Sequence, residues 1–182
     1  GGFLSNIPLF HQGEETKQWE ELINGIIMVV PMLSAEKNGA LIVLEREVGL
    51  QDILETGITL NSEFSSELLY SIFLPNSPLH DGAVIIRNNR IAGANCILPL
   101  TKRNDLKKYL GTRHRAAIGL SETTDALVVV VSEERATITV AIDGKLTRPM
   151  KPQLLKKFLQ KLYHPKRIKI FDSAKKGNNQ ND

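Results

Sequence analysis

The sequence predicts an α/β protein: a single globular domain with a central mixed β-sheet flanked by helices. Three observations carry that expectation. Short β-branched apolar runs are interleaved with longer stretches of helical spacing, the pattern of a sheet covered by helices. Two pairs of runs are joined by short turns, so hairpins occur and the sheet cannot be all parallel. A chain of 182 residues with 42% hydrophobic and 24% charged side chains has the composition of one soluble domain, large enough to fold without covalent staples.

The elements follow in order. The first dozen residues read as irregular, with Pro8 and Gly13 as breakers. From Glu14 to about Ala35, Trp19, Leu22, Ile23, Ile26 and Ile27 recur at near-helical spacing, and Pro31 should kink or end that helix. Ala40–Leu44 reads as a buried strand and Gly49–Glu55 as a short helix closed near Gly57. Asn61 or Ser62 can cap the next helix, whose apolar face is Phe64, Leu68, Leu69 and Ile72; Pro75 and Pro78 stop it. Ala83–Arg87 and Arg90–Leu98 form a hairpin about Asn88 and Asn89, since asparagine tolerates positive φ. Lys102–Leu110 is a polar connection, and Thr112–Leu120 a short helix with Thr112 as its cap. Ala126–Ser132 and Ala136–Ile142 are strands joined by the acidic turn Glu133–Glu134, and Asp143–Gly144 turns the chain again. Pro152 suits a helix start, with Leu154, Leu155, Phe158, Leu159 and Leu162 on one face. The domain plan is an N-terminal segment and helix over 1–36, a main domain over 37–163, and a basic, disordered tail over 164–182.

Several classes are excluded. A net charge of +3 from 23 basic and 20 acidic residues is no argument for nucleic acid. The single cysteine, Cys96, allows no internal disulfide and no cysteine-rich metal site, and its place in an apolar strand predicts an inert core thiol. The longest apolar run, Leu22–Leu33, is interrupted by Asn24, Gly25 and Pro31 and falls short of the roughly 20 residues a membrane span needs. The chain itself is expected to be soluble. Gly1-Gly2 leaves room for a natural chain that begins earlier, in which case an anchor would lie outside this sequence. Phosphate-loop, dinucleotide-fold, zinc-protease and nucleophile-elbow motifs are absent.

Two segments carry chemistry. In Leu79-His80-Asp81-Gly82-Ala83, Asp-Gly before a strand is ordinary turn chemistry. The same residues also permit a site: Gly82 and Ala83 let a ligand approach the backbone, Asp81 can hold a divalent metal against phosphate oxygens, and His80 is a neighbouring ligand. In Gly111-Thr112-Arg113-His114-Arg115, three potential cations begin a helix, where backbone N–H groups and arginine forks attract phosphate. The alternative is a solvated basic turn. Adjacent helical residues do not share a face, so at most two of the three meet one phosphate. Ser132, Glu133 and Glu134 form a third element at a strand end, either a turn or the carboxylate that completes a metal shell. Together these residues reach as far as a metal-dependent nucleotide site.

The residues L-H-D-G-A-V-I-I at 79–86 followed by G-T-R-H-R-A-A-I-G-L-S-E at 111–122 resemble the diadenylate cyclase (DAC) domain family. So do G-A-L-I-V-L-E-R from Gly39, T-G-I-T-L-N-S from Thr56 and V-S-E-E from Val131, and the resemblance spans Gly39 to Gly144. It implies condensation of two ATP into cyclic di-AMP with release of two pyrophosphates, using Mg²⁺ or Mn²⁺, across a facing homodimer. It also implies roles. Asp81 would bind metal and help activate the 3′-hydroxyl. Gly82 and Ala83 would line ribose and phosphate, and Leu98 would meet adenine. Gly111, Thr112, Arg113, His114 and Arg115 would hold phosphates. Ser132 and Glu133 would contact the nucleotide, while His80 and Glu134 would assist the metal. Ile97 stands where some relatives carry an aromatic residue, so one stacking contact on adenine is expected to be missing. The DNA-scanning type needs a long helical region that 182 residues cannot hold. The membrane-anchored type fits better, with the chain on the cytoplasmic side of the membrane and Glu14–Ala35 near the anchor; a small sporulation-type cyclase is the alternative. Possible partners are ATP, a second copy and a protein regulator, but not nucleic acid. The competing function is a nucleotide sensor without turnover.

Overall fold

The computed structural model describes residues 7–164. Along the chain these are α1 (Ile7–Ala35), β1 (Ala40–Leu44), α2 (Gln51–Leu54), β2 (Ile58–Glu63), α3 (Ser66–Ile72), β3 (Ala83–Arg87), β4 (Arg90–Cys96), α4 (Thr112–Thr123), β5 (Leu127–Val131), β6 (Ile138–Ile142), β7 (Lys145–Leu146) and α5 (Pro152–Leu162). The strands form one seven-stranded mixed sheet in the order β2-β4-β3-β1-β5-β6-β7. Its only parallel pairing among the described residues is β1 with β3, Ile42 opposite Val84. The other neighbours are antiparallel.

Alternation along the central strands builds a layer on each face. Ile42, Leu44, Val84, Ile86, Val129 and Val131 point to one side, where they meet Leu22, Ile26 and Leu33 of α1, Leu69 and Ile72 of α3, and Leu155 and Leu159 of α5. Leu41, Val43, Ile85, Val128 and Val130 point to the other, against Leu54 of α2 and Ala116, Ala117 and Leu120 of α4. Strands buried on both faces read as unbroken apolar runs rather than alternating ones, which is why β1 and β5 were visible in the sequence. The hairpin turn is as expected: Asn88 and Asn89 take φ of 50° and 59°, the paired positive angles of a tight primed turn.

Several expectations are corrected. The first dozen residues are not wholly irregular, because α1 starts at Ile7; Pro8 falls in its first turn, where no intrahelical N–H is needed. Pro31 does not end the helix, which continues to Ala35. Val29, Val30 and Leu33 around it are fully buried, and that packing outweighs the roughly 3 kcal/mol a helical proline costs. Asn61 and Ser62 are not helix caps but lie in β2, an edge strand with a register shift between Thr59 and Ser62. The cap of α3 is Ser65, whose Oγ accepts from Leu68 N at 3.1 Å. For α4 the cap is Gly111, extended and without a side-chain bond, rather than Thr112. β4 ends at Cys96, so residues 97–98 leave the sheet. Leu154 is 54% exposed and does not join the buried face of α5. The short β7 was not foreseen. Trp19 Nε1 donates to Tyr163 O at 2.6 Å and the indole stacks on His164, tying the end of α5 to α1. Apart from His164, the expected tail lies outside the described residues.

Candidate active site

The register of four strands brings the expected residues to one end of the sheet. β1 and β3 run side by side in the same direction, while Cys96 at the end of β4 pairs with Ala83 and Val131 at the end of β5 pairs with Ala40. The starts of β1 and β3 and the ends of β4 and β5 therefore share an edge, and the N-terminus of α4 reaches the same place. A cavity of about 910 Å³ opens there, lined by His80, Asp81, Gly82, Leu98, Gly111, Thr112, Arg113, His114, Ser132, Glu133 and Glu134. That is within the size range of small-molecule sites and ample for a nucleotide.

The loop before β3 fixes its backbone and leaves its carboxylate free. Gly82 has φ +76° and a Cβ there would meet the Cys96 carbonyl oxygen at 2.5 Å, so both conformation and space demand glycine. Asn95 Nδ2 donates to the Asp81 carbonyl at 3.0 Å. The Asp81 side chain is nevertheless 80% exposed. His80 Nδ1 lies 2.7 Å from Ser77 O, and since a carbonyl only accepts, that nitrogen carries the hydrogen. In the neutral ring, the Nε2 lone pair then confronts Asp81 Oδ1 at 3.3 Å. Two lone-pair atoms so placed want a proton or a cation between them, and their spacing is close to the roughly 3 Å between adjacent ligands of an octahedral ion. The pair thus fits part of a divalent-metal shell. Among the described residues no group of three or more His, Cys, Asp or Glu side chains could hold an ion, so Glu134 lines the cavity without joining them. The remaining ligands would have to be phosphate oxygens and water, as is usual for Mg²⁺.

Across the cavity, α4 begins without an acidic residue or a side-chain cap, which leaves the N–H groups of its first turn available to an anion. Arg113 lays its guanidinium over Gly39, where any side chain would displace it, and its Nη1 donates to Glu133 Oε2 at 2.9 Å. His114 is buried. Burial first, and the neighbouring Arg113 charge second, push its pKa below the ordinary 6.5, with Glu134 pulling weakly the other way. At neutral pH it is therefore an uncharged hydrogen-bonding group, not a third cation. Ser132 is buried at the end of β5, where its Oγ accepts from Arg135 N at 3.2 Å.

Two expected residues do not reach the cavity. Ala83 is fully buried as the first residue of β3, and Arg115 is not among the lining side chains; two positions after Arg113 it faces away from it. Cys96 borders the cavity but is buried, and burial raises its thiol to about 11, so it is no nucleophile at neutral pH. The sequence reading missed Lys37, Asn38, Gly39, Leu100 and Tyr109, which also line the cavity. Ile97, Leu100 and Tyr109 are exposed apolar residues there, at 66%, 54% and 44%; large apolar residues scattered through the loop between β4 and α4 were the available signal.

Residues 28–146 match the family described as DAC, DisA bacterial checkpoint controller nucleotide-binding. The chain is 48% identical over 147 residues to the cyclic di-AMP synthase CdaA of Bacillus subtilis, covering 81% of this chain and 53% of that protein. It is 47% identical over 145 residues to a diadenylate cyclase of Listeria monocytogenes, covering 80% and 53%. It thus spans about half the length of these curated relatives. Among solved structures, a double cysteine mutant of DacA from Staphylococcus aureus superposes with a TM-score of 0.78 at 47% identity, covering 80% of this chain and 97% of that one. A Bacillus cereus chain described as a hypothetical membrane spanning protein gives a TM-score of 0.67 at 51% identity, covering 70% and 62%. This chain belongs to the DAC family, the DisA bacterial checkpoint controller nucleotide-binding family.

Proposed function

We propose that this chain is the catalytic portion of a diadenylate cyclase that joins two ATP molecules into cyclic di-AMP and releases two pyrophosphates. The observation that carries the reading is the meeting of the exposed Asp81 carboxylate with the uncapped start of α4 and with Arg113 around one nucleotide-sized cavity. Relatives named as a cyclic di-AMP synthase, at 48% identity, and as a diadenylate cyclase, at 47%, support it.

Each ATP would lie with its triphosphate against Thr112, Arg113 and the first-turn N–H groups of α4, and its adenine toward Ile97, Leu98 and Leu100. Neutral His114 would donate its ring N–H to the phosphates without adding charge. In each transfer a 3′-oxygen forms a bond to the α-phosphorus of the other ATP, the bond from that phosphorus to the bridging oxygen breaks, and pyrophosphate leaves with the electron pair. Asp81 would orient the hydroxyl and take its proton. Arg113 would steady the charge on the leaving group. Family membership implies a divalent metal, and Mg²⁺ or Mn²⁺ beside His80 and Asp81 would supply charge neutralisation at the phosphates.

The family resemblance implies that two protomers face each other so that each 3′-hydroxyl reaches the other ATP, and an Asp81 carboxylate exposed at the cavity rim is compatible with that arrangement. The resemblance to membrane-anchored relatives points to the cytoplasmic face of the membrane in a longer protein. Among the described residues no helix is long and apolar enough to cross a membrane.

The test is to incubate the chain with ATP and Mg²⁺ or Mn²⁺ and to resolve products by chromatography. Cyclic di-AMP with two pyrophosphates per ring is expected, at a rate that rises more steeply than linearly with protein concentration. ATP bound without product at high protein concentration would favour the sensor reading instead.

A further inference from the structure

The turn between β5 and β6 carries Ser132, Glu133 and Glu134 to the cavity. Inside the turn, the N–H groups of Arg135 and Ala136 bond back to Ser132, each at 3.2 Å, and Ala136 adopts φ +51°. From outside, the turn is gripped at two points, both by residues at the start of α4 or just before it. Glu133 pairs with Arg113 at 2.9 Å. Arg135 sets its guanidinium over the Tyr109 ring, 3.8 Å from the centroid. Tyr109 in turn lines the cavity.

These two grips are not equivalent. A triphosphate entering the cavity competes with Glu133 for the Arg113 guanidinium, which pairs bidentately with phosphate as with carboxylate, and the triphosphate brings several negative charges against one. The Arg135–Tyr109 stack involves no expected phosphate ligand and can survive nucleotide binding. We propose that this stack is a clasp: Tyr109 and Arg135 are positioning residues that keep the β5–β6 turn opposite the start of α4 once Arg113 has been taken up by the triphosphate. The inference rests on the cavity being an ATP site. A flat guanidinium on an aromatic face suits this role, being attracted to the ring while still presenting its edge to water.

ATP and adenosine affinities, measured by calorimetry on the whole chain, test the clasp together with steady-state kinetics. Tyr109→Ala and Arg135→Ala should each weaken ATP about fourfold, the scale of one exposed cation–π contact. Adenosine, which has no triphosphate, should bind as before. The double variant should be no worse than either single one, because one interaction cannot be lost twice. Tyr109→Phe, which keeps the ring, should restore ATP affinity. KM for ATP should follow the affinity while kcat holds. Additive losses, equal losses for adenosine and ATP, or a fall in kcat at constant KM would each overturn the clasp. Wild-type chain that binds neither nucleotide would sink the ATP reading and the clasp with it. Tight ATP binding untouched by the substitutions would sink the clasp alone. Thermal melting of each variant separates these outcomes from misfolding.

Discussion

β1 and β3 lie side by side, and their two ends treat charge in opposite ways. Past the end of β1, the Glu45 side chain is 5% exposed; it accepts from Arg87 Nε at 3.0 and 3.1 Å, from Arg87 Nη2 at 2.9 Å and from Leu50 N at 2.9 Å. Arg87 spends a further donor on Gln51 at 3.2 Å. At the start of β3, the Asp81 carboxylate is 80% exposed, and its one ion-pair neighbour among the described residues is His80 at 3.3 Å. A buried charge must be fully bonded to be tolerated at all. An exposed carboxylate on a rigid backbone is instead free to bind something else. One end of the strand pair is thus closed for stability and the other left open for a ligand.

The sharpest way to break that contrast is to neutralise each carboxylate in turn. Asp81→Asn should lower cyclic di-AMP formation about a thousandfold or more, the scale of losing a charged group that acts on the transferred phosphoryl. Its unfolding free energy should move by no more than about 0.5 kcal/mol, as at other exposed positions. Product assays beside a urea titration read both quantities; near-normal turnover would remove Asp81 from the chemistry. Glu45→Gln should do the reverse. It leaves a half-buried guanidinium short of its charged partner, so a loss of about 2–3 kcal/mol is expected, with turnover per folded molecule unchanged. An intact melting curve would show that the closed end is not where the stability resides.

Gly82→Ala tests the hinge between the two behaviours. A side chain at φ +76°, facing the Cys96 carbonyl at 2.5 Å, forces the loop and the end of β4 apart. A stability loss of about 2 kcal/mol follows from strain alone, and activity should fall further because Asp81 moves with the loop. A crystal structure of the variant with an undisturbed Asp81 would contradict that coupling.

The same contrast explains what could be read from the sequence. Ala40–Leu44 and Leu127–Val131 lie at the centre of the sheet, and total burial leaves an unmistakable apolar run. The Asp81 and Arg113 segments were legible because their chemistry is local: a glycine beside a carboxylate, and basic residues at a helix start. What escaped was set by distant partners. β2 has the sequence Ile-Thr-Leu-Asn-Ser-Glu and exists because β4 pairs with it; only its first four residues alternate, too short a run to mark a strand against the cap-forming Asn61 and Ser62. Pro31 stays helical because of what its neighbours bury. Arg115 looked equivalent to Arg113 until helical geometry turned it away. Tyr109 could not be placed at all, because its approach to Arg135 depends on the path of the whole 97–111 connection.

The smallest expected effect concerns His114, which lies at the open end yet is itself buried. Burial and the Arg113 charge lower its pKa from 6.5, so the folded protein resists its protonation more than the unfolded chain does. Above pH 6.5 the ring is neutral in both states and its contribution to stability is complete. As pH falls below 6.5, the unfolded chain takes up the proton first, and stability declines until the folded-state value is also passed. Urea midpoints should therefore be level from pH 8 to about 7 and drop toward pH 5. His114→Gln should flatten that part of the drop, while the carboxylates keep theirs. Equal slopes in the two proteins would mean that His114 titrates alike in the folded and the unfolded chain. Below pH 6.5 the start of α4 would then offer phosphate a second positive side chain beside Arg113, rather than one charge and a neutral hydrogen-bonding ring.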